Sequence, residues 1–122
     1  MNRLQFYFKA QTAHGLHSPS IYALYCELLN PFLKGQFTYE QLVEELKKRY
    51  NEGKIIEMSS EFEPAQMTLN DVILIPKPYR NEPFWNSLKS HPAVIQTVDL
   101  FDLGLVFFKP ICPKQHFYLR KM

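Results

Sequence analysis

The residues of this chain whose types could do chemistry are few and lie far apart. His14 and His17 are three positions apart and would share one face of a helix. Two imidazoles make only half of a tetrahedral metal site, and no nearby Cys or acid supplies a third ligand. The bland reading of HGLHSP is a turn: Gly15 permits an unusual backbone, Ser18 is a good N-cap and Pro19 suits a first helical position. His116 with Asp99 or Asp102 and a serine would suggest a hydrolytic triad, but no G-x-S-x-G or comparable setting presents a nucleophile. Cys112 lies between Ile111 and Pro113 without an adjacent basic residue, which gives no case for a reactive thiolate. Phe84 and Trp85 could stack on a ligand, although a Phe-Trp pair on a short helix more often packs a core. Val106-Phe107-Phe108 could form a stacking platform for bases, but no basic residues interleave it.

The elements that must position these residues are legible in the hydrophobic pattern. Ala93 to Lys109, AVIQTVDLFDLGLVFFK, reads as two strands joined by a tight link at Asp102-Leu103-Gly104. Its second half, Leu105 to Phe108, is apolar at every position, so it belongs mid-sheet with cover above and below. Asn2 to Ala13 predicts a short helix whose Phe6-Tyr7-Phe8 cluster docks on the body. Ser18-Pro19 opens a helix with Ile21, Leu24, Tyr25 and Leu28 on one stripe, and Asn30-Pro31 ends it. Thr38 and Gln41 make a capping box for the next helix, with Phe37 and Leu42 placed as a hydrophobic staple. Tyr39, Leu42, Val43, Leu46 and Tyr50 form its buried stripe and Gly53 its C-terminal cap. Glu44–Lys48 and Glu45–Arg49 pairs should lace its solvent face. Lys54 to Met58 is a short strand, and Ser59 to Asn70 a loop. Val72 to Ile75 is a buried strand, Asn81 caps a helix closed by His91-Pro92, and Gln115 to Arg120 is a last strand.

Composition sets bounds on function. The 122 residues are 46% hydrophobic and 21% charged, ordinary for a soluble globular chain. A net charge of +2 is too small to imply nucleic acid or an anionic membrane, so neither is expected as a partner. Only Cys26 and Cys112 are present, which fits a reducing, cytoplasmic compartment. The N-terminal stretch lacks the apolar core and cleavage site of a signal peptide, and no run approaches transmembrane length.

Two blocks carry a resemblance. HGLHSPSIYALY near the start, and SHPAVIQTVDLFDLGLVFFKP followed by KQHFYLR at the end, resemble a class I SAM-dependent methyltransferase family of Bacteroidetes. The matching patterns are HG-x-HSP, D-L-x-x-x-G-[IL]-V-F-F at Asp99–Phe108 and K-x-H-F at Lys114–Phe117. KIIEMSSEF is similar to the segment just before that family's core. The resemblance implies that the strand at Leu105–Lys109 lies between two others, antiparallel to both. It also exposes a gap. Family members continue into a Gly-rich E-x-G-x-x-x-G turn and a ribose-binding acid, because only glycine lets the backbone approach the cofactor at a helix N-terminus. Here the glycines are Gly15, Gly35, Gly53 and Gly104, each isolated, and nothing from Val72 to Asn81 is acidic.

The expected fold is therefore α/β, a small mixed sheet of about four strands with N-terminal helices and one crossover helix. It is expected to form one domain, with residues 1–62 supplying a helical part and 71–122 a strand–helix–strand–strand part. The resemblance implies a truncated, Rossmann-like remnant that acts as a non-catalytic interaction or assembly module, without a bound cofactor. The alternative is a small-molecule binder or methyltransferase that completes its site with a second chain; nucleic-acid binding ranks third. His14, Gly15, His17 and Ser18 would inherit any ligand-contact role of the family's turn. Loss of the neighbouring core would leave Val72, Ile73, Leu74 and Ile75 as an open edge, favouring a homo-oligomer or pairing with a full-length methyltransferase.

Overall fold

The computed structural model describes residues 1–12, 16–58, 62–110 and 112–122. Among them a five-stranded mixed sheet, one strand more than expected, runs in the order β1-β2-β4-β3-β5. The strands are β1 (Ile55–Glu57), β2 (Val72–Pro76), β3 (Gln96–Asp99), β4 (Leu103–Phe107) and β5 (Gln115–Tyr118). β1 is parallel to β2, β4 is antiparallel to both β2 and β3, and β3 is parallel to β5. Four strands thus point one way, and central β4 alone runs back between them. Every residue of β4 is buried, as its unbroken apolar run requires.

Helices cover both faces. α1 (Arg3–Lys9) precedes α2 (Pro19–Leu24), α3 (Asn30–Leu33) and α4 (Tyr39–Arg49), and α5 (Glu82–Ser90) crosses from β2 to β3. Strand alternation sorts the core into two layers. Val72, Leu74, Val98, Leu105 and Phe107 meet α2 and α4 through Ile21, Leu24, Leu42 and Leu46. Ile73, Ile75 and Val106 meet α5 through Trp85 and Leu88.

Several local expectations hold. Ser18 caps α2, and the Thr38–Gln41 capping box opens α4 with both reciprocal bonds formed. Asn81 caps α5, accepting from the Phe84 amide. Others change for identifiable reasons. Asn30-Pro31 does not end its helix; the chain passes through a wide π-turn, Tyr25–Leu29, into α3, with the Asn30 amide bonded back to the Tyr25 carbonyl. Proline has no N–H and its ring crowds the carbonyl four residues back, and a widened turn just upstream accommodates both. On α4 the ion pairs are Glu44–Lys47 and Glu45–Lys48, while the Arg49 side chain reaches across to Glu27. In α1 only Phe6 docks; Tyr7 and Phe8 face solvent.

Two glycines serve close approach rather than turning. Gly53 is not a left-handed cap: a Cβ there would lie 2.0 Å from the Asn70 carbonyl oxygen. Gly104 lies within β4, where a Cβ would meet the Trp85 ring at 2.6 Å. The reversal between β3 and β4 therefore falls earlier than Asp102-Leu103-Gly104, at Phe101-Asp102, where the Leu100 amide donates to the Leu103 carbonyl.

The expected open edge is also corrected. Val72, Ile73 and Leu74 are paired on both sides, by β1 and by β4, Ile75 is paired with β4, and all four are at most 3% exposed. The short strand Ile55–Glu57 covers the edge because Asp71 holds its entry: the Asp71 carboxylate accepts from the Lys54 amide and the Thr68 amide, each at 2.8 Å. The outer strands of the sheet are β1 and β5, and just past the end of β5 Leu119 is bridged by Gln11.

Candidate functional site

In an open α/β sheet, ligands bind beyond the carboxyl ends of the co-directional strands. Here those ends bring together Glu57, Pro76, Asp99 and Tyr118. Two residues with side chains adopt positive φ in the loops there: Lys77 at 46° and Phe101 at 75°. The Lys77 amide donates to the Asp102 carbonyl at 2.9 Å, which ties the two loops together. Such left-handed conformations are costly for residues other than glycine and persist where surrounding bonds impose them.

Of the clefts along this rim, two adjoin its acids. One, of about 240 Å³, is lined by Tyr79, Glu82, Trp85, Lys89, Asp99 and Tyr118 among others. The other, of about 270 Å³, is walled mainly by Phe32, Leu33, Pro76, Leu100 and Leu103, with Tyr39, Glu57 and Lys77 at its margin.

The acids at this rim already have partners. Asp99 is 8% exposed; it accepts from the Trp85 indole at 3.1 Å and from the Phe101 amide at 2.8 Å. Burial pushes its carboxyl up, and these two donors with Lys89 and Lys9 only partly offset that. Glu57 accepts from the Tyr39 hydroxyl at 2.9 Å, and burial followed by this bond raises the phenol. Asp102 pairs with Arg3 at 3.1 Å on the surface.

The imagined triad does not assemble. His116 bonds the Thr97 hydroxyl through Nδ1, not Asp99 or Asp102. Burial first, then Lys89 and Lys9, push its imidazole down to about 3, so it stays neutral. Its Nε2 is buried without a protein partner. The ring lies edge-on to Trp85 and Tyr118, a packing role.

The HGLHSP turn is only partly visible. His14 and Gly15 lie outside the described residues. His17 is exposed, and Ser18 is occupied with capping, its Oγ 3.5 Å from the Ile21 amide. Neither lines the two clefts at the strand ends. Among the described residues no three His, Cys, Asp or Glu side chains converge as metal ligands, and no helix is long and apolar enough to cross a membrane. Sequence reasoning missed Lys77, Lys89 and Tyr118. Lys77 could have been suspected from its place between Pro76 and Pro78, which restrict the backbone on both sides. No local signal marks Lys89, which reaches the Tyr118 hydroxyl at 3.3 Å only through the fold.

No family model, no curated protein and no solved structure matches this chain.

Proposed function

We propose that the chain is a non-catalytic remnant of a SAM-dependent methyltransferase that serves as an interaction or assembly module. One observation carries this reading: Asp99, the buried acid at the strand ends, has both oxygens occupied by the Trp85 indole and the Phe101 amide. A carboxylate so engaged holds a hairpin and a helix together, with one acceptor site on each oxygen already spent on the fold. The reversed position of β4 between β2 and β3 supports the ancestry, because it is the arrangement that the sequence resemblance implies. The lack of a Gly-rich turn removes the means of bringing backbone close to a nucleotide. Calorimetric titration with SAM is the test. The expected result is no saturable heat at millimolar ligand; one-to-one binding would overturn the reading.

A second reading, a small-molecule binder completed by another chain, draws on the cleft beside Lys89 and Glu82. It requires that SAM or a product bind only when a full-length methyltransferase is added. Assembly with such a chain, or with a second copy, would use the outer side of β1, which has no strand beside it among the described residues. A clean monomer mass by light scattering would remove the second copy. With thiols at Cys26 and Cys112 and no bond between them, the cytoplasm is the compartment proposed.

A further inference from the structure

The exposed large apolar side chains are not evenly spread. Leu4, Tyr7 and Phe8, all on α1, are 66%, 53% and 77% exposed. Leu4 and Phe8 are one turn apart, and the Tyr7 and Phe8 rings meet edge to face with centroids 5.9 Å apart. The face is therefore continuous, and it is not needed to hold the helix down. Docking rests on Phe6, which packs on Phe101 and Tyr118 at 5.4 and 6.1 Å.

Cations flank α1, around the rings on which it docks and beside Tyr7. Arg3 lies over the Phe101 ring, Lys9 over Tyr118 and Arg120 over Tyr7, each 4.4 Å from the centroid. Lys89 also approaches the Tyr118 ring, 5.6 Å from its centroid. Of the acids at hand, Asp102 pairs with Arg3, Glu82 with the Met1 amine, and Asp99 is buried. α1 itself carries no acid. The net charge of +2 conceals this cluster because the acids Glu40, Glu44, Glu45, Glu52 and Glu57 fall on or near α4 instead.

We propose that this face of α1 docks on an anionic lipid surface. The inference rests on the interaction-module reading and names its partner. Charge complementarity selects an anionic partner: beyond the Arg3–Asp102 and Met1–Glu82 pairs, Lys9, Lys89 and Arg120 leave this corner positive, and a twofold contact between copies would bring two such corners together. Shape selects a bilayer over a peptide: the apolar side chains protrude from a short helix, with no groove among them to receive a strand or a partner helix. Leucine and aromatic side chains with flanking Lys and Arg sit at the boundary between headgroups and acyl chains, the cations meeting lipid phosphates and carboxylates.

The test is co-sedimentation of the full chain with vesicles of phosphatidylcholine, with and without phosphatidylserine. Binding is expected only with phosphatidylserine, and it should weaken as salt is raised. Phe8→Gln should reduce partitioning roughly tenfold or more, since the ring's burial in the bilayer is lost. Leu4→Gln should act in the same direction, and both variants should keep the parent's circular dichroism because neither side chain packs the core. Tyr22→Gln, an equally simple change to an exposed ring on α2, should leave partitioning unchanged. Absence of binding by the parent overturns the proposal, as does equal binding by Phe8→Gln. Single-stranded DNA that binds in the vesicles' place and depends on Phe8 would also overturn it, as would self-association abolished by Phe8→Gln. SAM titration of the same preparation keeps the two readings apart: no SAM heat and no vesicle binding sinks this proposal alone.

Discussion

Two buried aspartates sit at opposite ends of the sheet, and their settings differ in sign. Asp71, at the entry to β2, accepts two backbone amides, from Lys54 and Thr68. These donors outweigh desolvation and hold its carboxyl below the usual carboxylate range. Asp99, at the exit of β3, accepts one amide and one indole, yet burial prevails and its carboxyl is pushed up. Each also stands beside a glycine that makes room. Gly53 yields to the Asn70–Asp71 backbone, and Gly104, paired with Asp99 in the ladder, yields to the Trp85 ring. A peptide pressed on a glycine is rigid, and amides already fixed in a turn make good donors. Asp71 gains further from the Thr68 hydroxyl and the Lys54 charge, whereas at Asp99 the donors only partly offset burial. The entry end is thus built to keep a charge, and the exit end only tolerates one.

The largest effect should come from Gly53→Ala. Its Cβ would fall 2.0 Å from a backbone oxygen, which no rotamer change relieves. A loss of about 3 kcal/mol or more in denaturant unfolding is expected, at the upper end of overpacking costs. A loss under about 1 kcal/mol would show that the Asn70 bend moves freely.

Gly104→Ala should cost less, about 1–3 kcal/mol, because the obstacle is a side chain. Combining it with Trp85→Phe, which removes the crowding atoms, should be less damaging than the sum of the two single changes, by about 0.5 kcal/mol or more. Strict additivity in the cycle would mean that the ring and the glycine are not in conflict.

Asp71→Asn should cost about 2 kcal/mol at neutral pH, since one amide donor would then face an NH₂ group. The sign with pH follows from its lowered pKa. The parent's extra stability is present above the ordinary carboxylate range and is lost as pH falls through the folded value. The variant should therefore show a shallower loss in acid. An unchanged acid limb would remove Asp71 as the source.

Asp99→Asn should have the smallest net effect at neutral pH, within about 1 kcal/mol. The strained donor contact it introduces is offset by removal of a charge that burial disfavours. Because this pKa is raised, the parent's stability is greatest below the ordinary carboxylate range and declines as pH rises through the folded value. Across that window the melting temperature of the parent relative to the variant should fall as pH rises. A parent curve without this decline would place both aspartates in the same class.

What the amino-acid order determined by itself was where helices start and which strand is covered on both faces. Thr38 with Gln41, Ser18-Pro19 and Asn81 set helix starts because a cap needs only residues within one turn. The all-apolar run at Leu105–Phe108 fixed a strand covered on both faces, since no other setting hides every side chain. Tertiary structure decided what depends on distant neighbours. Whether Val72–Ile75 lay open turned on Asp71 catching the Lys54 amide seventeen residues away. Whether Gly104 turned the chain or admitted a ring depended on where α5 set Trp85. That Lys9, Lys89 and Arg120 gather around α1 came from a helix, a crossover and a last strand meeting at one corner. A side chain's type is written in the sequence, but its electrostatic and steric surroundings are set by atoms that only folding brings near.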